Sequence, residues 1–287
     1  MSNRYQVSEA AELMPFLLAQ LEGWSRNNVK QRLQLGCIVV NGSVVRKPNH
    51  PLQIGDDVEV IAKELGAQPR PQHGATLLEI LFADDDLVAI HKPAGLLSVG
   101  SDTEEKRHAL ALLRQQLSRP RCAVQLWPVH RLDRDTSGVL LFATSATIRD
   151  AVSAAWAESE KTYLAVVEGI PQPSVGTIDQ PLRMNAKGFR AHVGAHPQAK
   201  HAITHFQTLH VKQQRALLEL QIETGRQHQI RAHLAWLGHP VVGDSRYGTA
   251  DRRLGLHALR LRIPALHGGA RMTFEAPVPA EFSALLR

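Results

Sequence analysis

Two carboxylates and two arginines fall within five residues at Arg131-Leu132-Asp133-Arg134-Asp135, and Thr136-Ser137-Gly138 then leads into Val139-Leu140-Leu141-Phe142-Ala143. An unbroken apolar run after a glycine predicts a buried strand, so the charges before it are held at its mouth, against the core. Charges in such a place are costly unless paired. Asp135-Thr136-Ser137-Gly138 is ordinary turn chemistry. Asp133 stands ahead of the turn, beside Leu132, and the turn does not need it. By residue type alone it is either half of a structural ion pair, the commoner case, or an acid placed for chemistry.

Two other stretches carry candidate groups. Lys161-Thr162-Tyr163-Leu164-Ala165-Val166-Val167-Glu168-Gly169 alternates as a strand, with Tyr163, Ala165 and Val167 on one face and Leu164 and Val166 on the other. A tyrosine there is most often core, with its hydroxyl at the edge. Farther on, a strand over Ala216–Ile222 meets Glu223-Thr224-Gly225-Arg226-Gln227-His228-Gln229-Ile230-Arg231 and a helix through Leu234 and Leu237 that stops at Gly238. Strand, glycine turn and helix outline an anion site, where cations and free N–H groups converge. The 15 histidines are scattered, and His228 and His233 have few acids nearby, so a metal site is not expected.

Taken together these strings resemble one family. His130, Arg131, Leu132, Asp133, Thr136, Ser137 and Gly138 are similar to the signature of the RluA-type pseudouridine synthases, which isomerise uridine in structured RNA. Lys161, Tyr163, Ala165, Val167 and Gly169 resemble the second family motif, and Thr224-Gly225-Arg226-Gln227-His228-Gln229-Ile230-Arg231 the third. Lys92-Pro93-Ala94-Gly95, Gly238-His239-Pro240-Val241-Val242-Gly243-Asp244, Tyr247-Gly248 and Leu256-His257-Ala258 also match, with His91 where the family has asparagine. The resemblance implies Asp133 as the catalytic aspartate, acting on the ribose or on a ribose proton. Tyr163 would receive the flipped uracil, which a flat aromatic suits because it offers no hydrogen bonds that must change partners. Arg131 would help fill the vacated space, Arg231 would neutralise and aim Asp133, and Ile230 would pack against the base or the Asp133 loop. His130, Arg226, His228 and Lys92 would lie near the RNA. No metal, nucleotide or redox cofactor is implied.

These residues need a frame. Leu13, Phe16, Leu17 and Leu21 recur at helical spacing, Ser25 can cap a second helix carrying Val29 and Leu33, and Gly36 stops it. Ile38-Val39-Val40, Asn41-Gly42 and Ser43-Val44-Val45 read as a hairpin. Residues 9–65 thus form a helix–helix–hairpin unit, with Arg26, Lys30, Arg32, Arg46 and Lys47 spread over it. It resembles the ribosomal-protein S-four-like RNA-binding module through Ser25-Arg26, Leu35-Gly36, Val40-Asn41-Gly42, Val45-Arg46-Lys47-Pro48 and Ile54-Gly55-Asp56. Glu12-Leu13-Met14-Pro15 departs from the cationic opening usual there. Gly66, Pro69, Pro71 and Gly74 mark a linker over 66–75, and residues 76–287 hold everything else. Strands over Leu77–Phe82 and Leu87–Ile90, a helix opened by Ser101 with Glu104, and one opened by Ser145 surround the Asp133 stretch. The fold class is α+β, and the resemblance implies a mixed, mainly antiparallel sheet for the larger domain.

Composition agrees with this reading. The chain is 44% hydrophobic and 21% charged, with a mean hydropathy of −0.19, as expected of a soluble globular protein. A net charge of +6 suits a polyanionic partner. There is no secretory leader pattern and no membrane-spanning run. Cys37 and Cys122, far apart and without zinc-ligand spacing, point to a reducing cytoplasm. The expectation is a cytoplasmic monomer whose partner is RNA, ribosomal RNA of the large subunit first, transfer RNA or small-subunit RNA as alternatives. A non-catalytic RNA-binding relative, or a phosphate-binding structural protein, would explain the charge but would not need Asp133, Tyr163 and Arg231 together.

Overall fold

The computed structural model describes residues 3–21, 26–34, 37–60, 77–100, 107–118, 123–185, 190–266 and 268–287. Ser25, Leu35, Gly36, the 66–75 linker, Ser101, Glu104 and Cys122 lie outside them. The chain divides into two units, one of Met1–Leu77 with Leu112–Leu126, the other of Leu78–Ala111 with Trp127–Arg287.

In the first unit, β1 (Asn3–Gln6), α1 (Leu13–Gln20), α2 (Arg26–Gln34), β2 (Ile38–Val40), β3 (Ser43–Val44) and β4 (Asp57–Val60) build an antiparallel sheet of order β1-β4-β2-β3 beneath two helices. Leu13, Leu17, Val29, Leu33, Ile38 and Val58 are fully buried in its core. Burial of each such side chain contributes roughly 1.5–3 kcal/mol. The hairpin turns on Asn41 (φ 50°) and Gly42 (φ 78°), the two left-handed positions that the tightest hairpins require. β1 lies ahead of the expected start at residue 9; Asn-Arg-Tyr-Gln has no apolar alternation to show it, and pairing with β4 alone makes it a strand. Arg26, Lys30, Arg46 and Lys47 are exposed. Cys37 is buried before β2 and is disulfide-bonded.

The second unit is organised around a ten-stranded sheet. Its main strands are β5 (Glu79–Ala83), β6 (Leu87–Lys92), β7 (Ser137–Ala143), β8 (Glu160–Glu168), β9 (Val175–Asp179), β10 (Ile203–Lys212), β11 (Arg215–Ile222), β12 (Leu256–Ile263) and β13 (Met272–Glu275). They run in the order β9-β10-β11-β8-β12-β7-β6-β5, with β13 beside β12. Every pairing among them is antiparallel except β7–β12, so the sheet is mixed and mainly antiparallel. All of β7 is buried, as its unbroken apolar run requires. The alternation of β8 also holds: Ala165 and Val167 join Leu218, Leu220 and Ile230, while Leu164 and Val166 pack on Phe282 and Leu285.

The parallel pairing explains Gly138. It sits opposite Ala258 with φ 122°, and an added Cβ would run into the Ala258 carbonyl. Only glycine permits that approach. The helix expected from Ser101, α3 (Ala109–Leu117), begins later, because the His108 ring accepts the Ala111 N–H at 3.2 Å and caps it. Helix α4 (Ala146–Ala154) is capped by Ser145 as expected, its Oγ accepting the Ile148 N–H at 3.1 Å. Two more helices follow, α5 (Gln229–Trp236) and α6 (Glu281–Leu285). Among the described residues no helix is long and apolar enough to cross a membrane.

Candidate active site

The loop before β7 is fixed on both sides of Asp133. Ser98 Oγ donates to the Leu132 carbonyl at 2.8 Å and accepts the Leu132 N–H at 2.9 Å. Lys92 Nζ donates to the carbonyls of Arg134 (2.9 Å), Pro93 (2.9 Å) and Leu96 (2.7 Å). The Thr136 N–H closes the turn on the Asp133 carbonyl at 3.2 Å. Lys92 is therefore not a phosphate contact. It is 0% exposed, and all three of its ammonium hydrogens are spent on backbone. Burial pulls its pKa down to about 7 against the charges of Asp135 and Asp133, yet three carbonyl acceptors are arranged for the charged form.

Arg231, on the first turn of α5, reaches this loop. Its Nη1 donates to Asp133 Oδ2 at 3.1 Å, while Nε and Nη2 clamp Asp244 at 2.7 and 2.8 Å. Asp244 is 0% exposed and also accepts the N–H groups of Arg246 (3.0 Å) and Tyr247 (3.2 Å). Burial alone would raise the Asp244 carboxyl; Arg231 and those N–H groups outweigh it and hold it below the usual range. Burial likewise disfavours the Arg231 cation, and Asp244, then Asp133, reverse that and raise its pKa. The planar guanidinium thus divides between an anchor and a working carboxylate. Asp244→Asn breaks a buried pair from one side, which costs roughly 3–5 kcal/mol. The unfolding midpoint in denaturant and the catalytic rate should both fall; an unmoved midpoint would show that Asp244 does not anchor Arg231.

A second chain of hydrogen bonds approaches the same oxygen. The Ala191 N–H donates to Tyr247 Oη at 2.6 Å, and the Tyr247 hydroxyl can donate to His228 Nδ1 at 3.1 Å. His228 then carries its hydrogen on Nε2, which stands 3.8 Å from Asp133 Oδ2. Burial, ahead of the opposing charge of Asp133, lowers the His228 pKa and favours this neutral ring. Both neighbours face Oδ2. Among the described residues Oδ1 of Asp133 accepts no hydrogen bond. The result is a carboxylate with one oxygen held and the other open, which can act as a nucleophile or a base.

Asp133 lines a cleft of about 910 Å³ together with Arg131, His130, Tyr163, Arg226, His228 and Arg231, among others. Arg131 and Arg226 are exposed at its mouth, and Arg226 Nε donates to the His201 carbonyl at 3.0 Å. Ile230 is 5% exposed and packs in the core cluster beside Tyr163. Burial, reinforced by Asp133, raises the Tyr163 pKa and keeps the phenol neutral. His130 belongs to the wall. Its Nε2 accepts the Leu141 N–H at 3.1 Å, its ring stacks on Trp156 at 5.2 Å, and burial brings its pKa down to about 4. The anion site expected at the start of α5 is partly closed, since the Gln229 side chain accepts the Arg226 N–H at 3.0 Å and His228 is left-handed (φ 56°). Arg26 and Lys30 belong to the first unit.

Sequence reasoning did not single out Ser98, Asp244 or Tyr247. Asp244 and Tyr247 lie in strings that match the family, but residue type and spacing gave them no role. Ser98 likewise lies in a string that matches the family, Leu97-Ser98-Val99, with no role read for it.

Comparison with known proteins bears on this arrangement. The family model described as RNA pseudouridylate synthase matches residues 86–236, and that of the S4 domain matches residues 13–58. A Bacillus subtilis protein named as an uncharacterized RNA pseudouridine synthase, YlyB, is 34% identical over 283 residues, 94% of this chain and 91% of its own length. The ribosomal large subunit pseudouridine synthase D of Pasteurella multocida is 29% identical, spanning 100% of this chain and 94% of that protein. Among solved structures, human RNA pseudouridylate synthase domain containing 4 superposes with a TM-score of 0.60 at 29% identity, covering 72% of this chain and 91% of that one.

Proposed function

The chain belongs to the RluA-type RNA pseudouridine synthases, and from that premise we propose that it converts uridine in large-subunit ribosomal RNA, using Asp133 and no cofactor. The observation that carries the assignment of Asp133 is a carboxylate that lines the cleft with its Oδ2 held by Arg231 at 3.1 Å. The target nucleotide leaves its stack, Arg131 helps fill the space, and the uracil lies on Tyr163. Oδ1 then engages the ribose, by adding to it or by taking one of its protons. The bond from ribose to N1 breaks, the uracil turns, and a bond to carbon 5 forms as Oδ1 leaves the ribose or the proton it took is returned. Carbon 5 loses its hydrogen and N1 gains a proton, so the reaction is an isomerisation that consumes nothing. The Ser98 and Lys92 bonds on either side of Asp133 remove the cost of ordering it.

The ribosomal target is supported by the RNA-binding module and by the similarity to a synthase named for the large ribosomal subunit. We take the module as residues 9–65 and the catalytic domain as 76–287. Chemical mapping of pseudouridine in total RNA, from cells with and without this chain, tests the target. Loss of one or a few modifications in large-subunit RNA is expected; a loss confined to transfer RNA would reject that choice.

The module's role has its own test. If Arg26 and Lys30 each neutralise a phosphate, the Arg26→Gln, Lys30→Gln double variant should bind RNA more weakly. Its log–log salt slope should be flatter by about 0.7–0.9 per lost contact. Affinity across a salt series decides it, and an unchanged slope would remove both residues from the RNA interface.

A further inference from the structure

Lys161 is one of several cations that line the cleft. It stands on β8 two residues before Tyr163, so both side chains leave the same face, and both line the cleft. It is 7% exposed. Its ammonium makes a single long hydrogen bond, 3.5 Å to the Trp156 carbonyl, and lies 5.5 Å from the centre of the Trp156 ring. No ion pair reaches it among the described residues; the adjacent Glu160 is taken by Arg262 and Arg271. Burial lowers its pKa.

Lys92 shows what a structural buried lysine looks like in this chain: three carbonyls at 2.7–2.9 Å. Lys161 has the burial with only the long bond to Trp156 and its ring. A buried ammonium with unspent donors is unfavourable, and an apolar chain of the same length would be cheaper there. A substrate that enters the cleft can supply a further acceptor.

We propose that Lys161 donates to the carbon-4 oxygen of the flipped uracil and so both stabilises the departing base and selects uracil. The assignment rests on the reading that Tyr163 receives the base. Asp133 works at the ribose end, and Lys161 stands two residues, roughly 6.5 Å, along β8 from Tyr163, which is about the span of a pyrimidine and suits the opposite edge of the base. When the ribose–N1 bond breaks, the bonding electrons pass to the ring and charge builds on its exocyclic oxygens. A fixed donor in a site with little water is worth most at that moment. Cytosine carries an amino group at carbon 4, so donor would face donor and the base would be rejected.

Lys161→Met tests this, with single-turnover rates measured on the target RNA and on the same RNA carrying 4-thiouridine at the target. Removing one such donor should slow conversion about 10²–10³-fold. RNA affinity should stay within about twofold, and the unfolding midpoint should not fall, because a poorly partnered buried charge has been removed. Sulfur is the poorer acceptor, so 4-thiouridine should slow the wild type and leave the variant no slower. A wild-type rate in Lys161→Met would overturn the proposal. So would an equal sulfur penalty in both proteins. A salt slope flatter by about 0.7–0.9 with the rate unchanged would assign Lys161 to a phosphate instead. A wild type that converts neither RNA would fail the pseudouridine reading itself, and this assignment with it.

Discussion

Asp133→Asn will bind RNA as the wild type does and convert none of it. The change is nearly isosteric, and the loop around it is held by groups it does not touch: Ser98 at Leu132, and Lys92 at Arg134. An amide oxygen can still accept from Arg231 Nη1, so the fold and the cleft should survive. What disappears is the charge on Oδ1, the atom free to meet the ribose. Losing a reacting carboxylate should add several kcal/mol to the barrier, and each 1.4 kcal/mol is about tenfold in rate. Conversion should fall below detection in pseudouridine-specific chemical labelling, with filter binding unchanged. Residual conversion above about a tenth of wild type would remove Asp133 from the chemistry.

Arg231→Lys should be nearly as severe, though it keeps the charge. The guanidinium makes three hydrogen bonds in fixed directions, two to Asp244 and one to Asp133. An ammonium is a point donor on a flexible stem and cannot span both carboxylates. Settled on Asp244, it leaves Asp133 unaimed; drawn to Asp133, it leaves Asp244 buried without its partner. Conversion should fall by at least about 100-fold, and the unfolding midpoint should drop by a smaller margin than in Asp244→Asn. An unchanged single-turnover rate would show that Asp133 needs no aiming by Arg231.

What the sequence showed and what it hid divide along physical lines. The strand after Asp133 was legible because an apolar run bounded by glycine admits few other readings. The helices and the Asn41-Gly42 hairpin were legible for similar reasons, since their period and turn chemistry are local. Pairings were not. Arg231 and Asp133 stand 98 residues apart, and no local pattern joins them; only the resemblance put them together. Asp244, 13 residues beyond Arg231, read as one acid in a glycine turn. Lys92 was misjudged for the same reason. A lysine before Pro93 in a turn belongs in water by type, yet β6 carries it inward to where three carbonyls converge. The late start of α3 escaped because a histidine ring supplies its cap.

The most direct measurement is tritium release from target RNA labelled at carbon 5 of uracil, because bond formation at that carbon expels its hydrogen. The wild type should release one tritium for each uridine converted, Asp133→Asn should release none, and both should bind the RNA equally. Release by Asp133→Asn at the wild-type rate, or pseudouridine formed by the wild type with the tritium retained, would contradict the account.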